Sequence, residues 1–173
     1  RYKQDIIDAL LPHIQAKLRD EDWKVQESAV LAMGALQEGC EEGLIARNYL
    51  DDFLKHLITV MLPAPQPFLR SVTCWTLIRY AKYVARQQSQ LPDNAPGHLL
   101  EPMVSGILNC MRDGSAKVQE AAASAMCVLE EEARTLFLPH VPAILQVYSQ
   151  ALQHYKEKSL VILYDAYGTL AEA

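Results

Sequence analysis

No stretch of this 173-residue chain approaches the roughly 18 consecutive apolar residues of a membrane-spanning helix. Residues 1–30 also lack the basic, apolar and small-residue succession of a secretory signal. The expected setting is therefore the cytosol or nucleus, with no membrane partner. None of Cys40, Cys74, Cys110 and Cys127 forms a CxxC pair, and none has a histidine at zinc-ligand spacing. Free, mostly buried thiols in a reducing compartment are expected, with no metal, cofactor or disulfide framework. Excess positive charge is missing too. A net charge of −5 opposes a general grip on nucleic acid, which needs a basic face to neutralise phosphates, and suits a basic partner instead.

Half of the residues are hydrophobic, and the length is that of one domain able to bury a core. A helical phrase recurs four times: KVQESAVLAMGAL at 24–36, FLRSVTCWTLIRY at 68–80, KVQEAAASAMCVL at 117–129 and SLVILYDAYGTLA at 159–171. Its anchors Val25, Leu69, Val118 and Leu160 lie 44, 49 and 42 residues apart. A period in the forties built from helix pairs predicts an all-α, right-handed superhelical solenoid of the HEAT or armadillo type, about four pairs long. Such a stack grips something extended and seldom catalyses.

Each unit reads as helix A, a turn and helix B, with units at about 4–40, 50–86, 98–133 and 138–173. The A helices are placed at 4–18, 50–62, 98–112 and 138–153. Polar breakers at 19–22 and 112–115, and the prolines of Pro63–Pro67, mark the A–B turns. Residues 87–97, polar with Pro92, Pro96 and Gly97, read as an inter-repeat loop. Neither end carries a polar capping repeat, so a piece of a longer array is expected.

At about 100° per residue, positions 0, +4, +7, +8 and +11 from each anchor share one face. These are Val25, Ala29, Ala32, Met33 and Leu36 in the first unit, and Val118, Ala122, Ala125, Met126 and Leu129 in the third. They form the expected core stripe. Positions +2, +6, +10 and +13 lie opposite, on the concave side, and include Trp75, Arg79, Glu120 and Glu131. Trp75 and Arg79 stand four apart, an aromatic–guanidinium pair of the residue types that dominate binding hot spots. Glu131 shares a face with Glu120, and Asp165 lies on the corresponding side of the next B helix, so an acidic strip is expected beyond the aromatic. The run Glu130-Glu131-Glu132 reads equally as a solvated helix end. Trp23 reads as a packing residue. His13, His56 and His140 fall at matching places in A helices and read as a packing signature, and His98 and His154 as exposed. No Ser, Cys or carboxylate is spaced to build a triad with any of them, so no enzyme is expected.

The stretches RSVTCWTLIRYAKYV (70–84), KVQEAAASAMCVLEEEA (117–133), LVILYDAYGTLAEA (160–173) and VQESAVLAMGALQEGC (25–40) resemble the importin-beta (karyopherin) family of nuclear import receptors. The resemblance covers essentially the whole chain, as central to early C-terminal-half HEAT repeats. It implies a cargo carrier for basic, disordered proline-tyrosine nuclear localisation signals with an R-x(2–5)-P-Y ending. By that resemblance Leu31, Val72, Trp75 and Arg79 hold the proline-tyrosine end, and Glu120, Val128, Glu131, Ile162 and Asp165 receive the upstream arginine. Val128 stands where the family usually has a hydroxyl, which removes a hydrogen bond. The Pro63–Pro67 turn and the 41–50 segment differ in length. The resemblance also implies Ran GTPase and phenylalanine-glycine nucleoporins as partners of the full-length protein, with regions for Ran and an acidic cargo-release loop preceding this segment, and shuttling between cytoplasm and nucleus. Two rivals stand beside this reading. A HEAT scaffold subunit would bind folded partners along its ridge, and a HEAT-like DNA-repair enzyme would need a basic groove where Glu120, Glu131 and Asp165 are expected.

Overall fold

A computed structural model describes residues 2–92 and 98–172, and these contain helices and turns but no strand. Helix α1 (Tyr2–Lys17) packs on α2 (Trp23–Ala46). Helix α3 (Leu50–His56) runs into a π-helical turn, Leu57–Met61, before α4 (Pro67–Arg79) and α5 (Ala81–Gln90). Helix α6 (Leu100–Met111) packs on α7 (Ala116–Ala133), and a 3-10 turn, Arg134–His140, leads to α8 (Val141–His154) and α9 (Glu157–Glu172). Helices α2, α4, α7 and α9 contact one another in that order, each packed on the next. The result is an all-α solenoid.

Local chemistry explains the boundaries. Asp22 caps α2 from an extended backbone by accepting the Lys24 N–H at 2.9 Å. Pro67 opens α4 at the position where its missing N–H would have had no partner. Gly39 lies at φ +97°, a conformation that side chains disfavour, and there α2 breaks before resuming through residue 46. The α5 helix extends to Gln90, so residues 87–90 of the expected loop are helical. The loop's centre, residues 93–97, lies outside the described residues.

The recurrent phrase has a structural reason that composition did not reveal. One residue past each of the first three anchors, a long side chain reaches back to a carbonyl six residues earlier. Gln26 donates to the Asp20 carbonyl at 2.7 Å, Arg70 to that of Ala64 at 2.6 Å, and Gln119 to that of Asp113 at 2.6 Å. Each bond braces an A–B turn. Arg70 adds a fork onto the Asp113 carboxylate at 2.7 and 3.0 Å, and Asp113 in turn accepts the Ser115 N–H at 2.8 Å. One guanidinium thereby ties the turns of two successive repeats.

The core follows the anchor arithmetic most closely where neighbours lie on both sides. Val118, Ala122, Ala125, Met126 and Leu129 of α7 are fully buried. In α2, Ala29 and Met33 are buried, while Val25, Ala32 and Leu36 are half-buried. Cys40, Cys74 and Cys110 are buried free thiols and Cys127 is half-buried. The histidines do not share one environment. His13 is exposed. Burial lowers the pKa of half-buried His56, whose Nε2 has no partner among the described residues. His140 ends the 3-10 turn, outside any A helix, edge-on to Phe137. The three stand 12, 13 and 20 residues before Val25, Leu69 and Leu160, so they do not share one repeat position and make no single packing signature.

Removing a partner from a mostly buried, forked ion pair strands the other charge. Arg70→Ala should lower unfolding stability by about 2–4 kcal/mol in urea titrations. Arg70→Lys should recover little of that, because an ammonium cannot fork onto Asp113 and hold the Ala64 carbonyl together. Stability within about 0.5 kcal/mol of wild type, the range of an ordinary surface substitution, would show that the brace carries no load.

Candidate functional site

Helices α2, α4 and α7 lie side by side, and the side chains pointing away from their shared core line an open groove of about 490 Å³. Leu31 of α2 and Val72 and Trp75 of α4 all face it. Leu31 is 41% exposed and Trp75 39% exposed, so the indole keeps an open face to the groove although α2 covers part of it. Large apolar groups left open together in a concavity mark a binding surface.

Trp75 is not free to swing. The Arg79 guanidinium carbon lies 5.2 Å from the centre of its ring, and Arg79 Nε donates to the Gly34 carbonyl at 2.7 Å. The same guanidinium lies 3.6 Å from the Glu38 carboxylate. The expected aromatic–guanidinium pair therefore exists, with its cation already engaged by α2.

Several lining residues went unpredicted. Phe68, Ile78, Lys117 and Glu27 border the same groove. Lys117 Nζ lies 4.4 Å from the centre of the Phe68 ring, whose other neighbour is the stacked Trp23 at 6.3 Å. Trp23 thus packs against a neighbouring aromatic at the seam, as expected. Glu27 stands at +2, on the face already counted, and the signal that could have found the others is positional: −1 (Phe68, Lys117) and +9 (Ile78) from the anchors fall on the same helical side as +2, +6 and +10. Counting only four positions narrowed a face that is wider in three dimensions.

The acidic residues fall on α7 and α9. Glu120 is half-buried and accepts a hydrogen bond from Ser159 Oγ at 2.9 Å, a bond that ties α7 to α9. Val128 and Ile162 are half-buried against the core. Glu131 and Asp165 are both exposed. Both also act on Cys127, whose thiol is pushed up to about 11, first by burial and then by the charges of Glu130, Asp165 and Glu131. Residues far apart in sequence thus share one neighbourhood. Glu131 also borders a shallow recess with Arg134, a cation the strip was not expected to contain.

Glu130 corrects the reading of the 130–132 run as a solvated end. It is fully buried, accepts from Tyr148 Oη at 2.7 Å, and its second oxygen has no partner among the described residues. Burial raises its pKa to about 7, against a smaller lowering by the Tyr148 hydrogen bond. Among the described residues no three His, Cys, Asp or Glu side chains gather where a metal ion could be held.

The sign of the Glu130 effect is fixed by the direction of its shift. The folded value of about 7 exceeds the ordinary 4.5, so folding favours the protonated acid. The burial penalty is absent below about pH 4.5, grows between there and pH 7, and is complete above it. Glu130→Gln should therefore stabilise the fold at pH 8 by about 2 kcal/mol and change little at pH 4. Denaturant midpoints across this range check it, and equal effects at both pH values would contradict a buried titrating acid.

Comparison with known proteins accords with this architecture. A HEAT-repeat family model matches residues 10–40. The chain is 39% identical over 171 residues to importin subunit beta-2 of Schizosaccharomyces pombe, an alignment covering 99% of this chain and 18% of that protein. It is 41% identical over 172 residues to transportin-1 of Homo sapiens, again 99% of this chain and 18% of the relative. Against the transportin of Dictyostelium discoideum it is 39% identical over 169 residues, covering 97% and 17%. The chain thus spans less than a fifth of the length of the curated relatives it matches. Over nearly its whole length the chain is thus similar, at 39% to 41% identity, to transportin and importin beta-2 proteins, and its stacked helix pairs include a HEAT-repeat match.

Proposed function

We propose that this chain is the signal-binding part of a nuclear import receptor, and that its B-helix face, on the concave side of the superhelix, holds the basic proline-tyrosine localisation signal of a cargo protein. One observation carries the reading: an uncovered tryptophan groove on α2, α4 and α7 is followed by exposed carboxylates on α7 and α9. A disordered segment with an aromatic-proline end and an upstream arginine matches that order of surfaces. Leu31, Val72 and Trp75 receive the proline-tyrosine pair, with Arg79 beside them. Glu131 and Asp165 accept an arginine through charge-assisted hydrogen bonds, flanked by Glu120, Val128 and Ile162. The four helix pairs at 4–40, 50–86, 98–133 and 138–173 act together as one rigid docking strip. Binding, not bond chemistry, does the work.

In the longer protein this strip would operate beside surfaces for Ran GTPase and phenylalanine-glycine nucleoporins, and the whole would shuttle between cytoplasm and nucleus through the nuclear pore. Contact with nucleic acid is disfavoured, since the exposed α7 and α9 carboxylates oppose phosphate.

A fluorescent basic proline-tyrosine peptide, titrated alongside Arg→Ala and Pro-Tyr→Ala-Ala versions, tests the reading. Trp75→Ala should weaken the intact peptide by about 2 kcal/mol or more while helix content and melting stay near wild type. Unfolding would mean that Trp75 holds the stack together instead of binding. A second measurement addresses the acidic side. Replacing Glu131 with Gln and Asp165 with Asn should weaken the arginine-containing peptide and flatten its salt dependence. The peptide lacking arginine should scarcely notice. Equal losses for both peptides would mean that the carboxylates form only a solvated face.

A further inference from the structure

We propose that Gly34 and Arg79 are positioning residues that hold the Trp75 indole in place before any ligand arrives. The proposal rests on the reading of the groove as the peptide site. Its observations concern the unliganded chain.

An exposed tryptophan ordinarily samples several rotamers, and ordering it on binding weakens affinity. Trp75 is held from two helices. On its own helix, Arg79 lies one turn further on with its guanidinium 5.2 Å from the ring centre. That guanidinium is itself anchored, by the 2.7 Å bond to the Gly34 carbonyl and by Glu38 at 3.6 Å. Its Nε–H is thus turned toward α2 while the guanidinium lies against the indole. On α2, the ring edge sits where a side chain would otherwise project: a Cβ built on Gly34 would come within 2.5 Å of Trp75 Cζ3 and 3.2 Å of Cε3. The first distance is a collision, so only glycine lets the indole settle there. Glycine is otherwise unfavourable inside a helix.

Neither feature belongs to the repeat in general. The positions equivalent to Gly34 in the other B helices hold Ile78, Cys127 and Thr169. Those equivalent to Arg79 hold Ala35, Val128 and Leu170, and those equivalent to Trp75 hold Leu31, Ser124 and Ala166. The glycine occurs on the helix against which the ring edge rests, and the arginine on the helix that carries the tryptophan. A packing rule of the fold would recur. This arrangement does not, which points to the tryptophan as its purpose.

Trp23→Phe leaves Trp75 as the only tryptophan and keeps a ring against Phe68. In that background Gly34→Ala, Arg79→Ala and Arg79→Lys can be compared by Trp75 emission, by acrylamide quenching without ligand, and by binding of the proline-tyrosine and Ala-Ala peptides. The expected result is red-shifted emission and faster quenching in all three variants, since an ammonium cannot both stack and keep the Gly34 bond. Affinity for the proline-tyrosine peptide should fall about tenfold through loss of preorganisation. The Ala-Ala peptide should bind as before, and no further loss should appear when Trp75→Ala is already present. Unchanged emission and quenching in the Arg79 variants would overturn the proposal, as would a binding loss that persists with Trp75→Ala. The Arg79 pair decides the matter should Gly34→Ala fail to fold. A wild-type chain that binds neither peptide would defeat the cargo reading alone, and the fluorescence would still judge the clamp.

Discussion

The contact between α2 and α4 sets the geometry on which the groove depends. Thr76, Arg79 and Tyr80 of α4 and its cap each donate to a carbonyl of α2: Val30 at 3.1 Å, Gly34 at 2.7 Å and Met33 at 2.7 Å. Those carbonyls sit in the body of a helix, so they accept a second hydrogen bond in addition to the helical ladder. Side chains can reach them only if the two helices approach closely. Small residues at the seam permit this, with Ala29 and Gly34 on one side and Thr73 and Thr76 on the other. Buried hydroxyls that found no acceptor would oppose the same approach. Close packing and hydrogen bonding are here one constraint, and the Trp75 groove is its outer surface.

The stack is held along its length by a second device, placed at the turns. A long polar side chain one residue past the anchor reaches the carbonyl six residues back in three successive repeats. Loops carry backbone groups that helices cannot satisfy, and these braces supply the partner. Arg70 does more than Gln26 or Gln119 because its fork also holds Asp113 of the next repeat. Rigid relative placement of α4 and α7 matters for any ligand long enough to touch both. The charge of the α7–α9 side obeys a related logic. Glu131 and Asp165 stay exposed and available, whereas Glu130, one residue away, is turned inward onto Tyr148. Tyr148 also meets Tyr167 of α9 edge-on at 5.1 Å. The buried acid destabilises the fold near neutrality and at the same time connects the helices that carry the two exposed ones.

Periodicity alone was enough for much of this. A 3.6-residue pattern repeated every forty-odd residues can be satisfied only by helix pairs that stack, and the core stripe Val118, Ala122, Ala125, Met126 and Leu129 could be counted from one anchor. The exposure of Trp75 and its pairing with Arg79 follow from phase and four-residue spacing, which are local properties of one helix. What periodicity could not reach are relations between helices. Phe68 and Lys117 meet across α4 and α7. Glu130 turns inward although Glu131 and Glu132 face water, because α8 brings Tyr148 to it. His13, His56 and His140 look alike in sequence and differ in space, because burial depends on which neighbour covers a given turn. Gly34 reads in sequence as an ordinary helix-weakening residue, and only the indole resting against it from another repeat explains it. The chain's residues settled which faces are apolar. How closely those faces approach was decided by packing between repeats, since side-chain volume at a seam has no expression along a single helix.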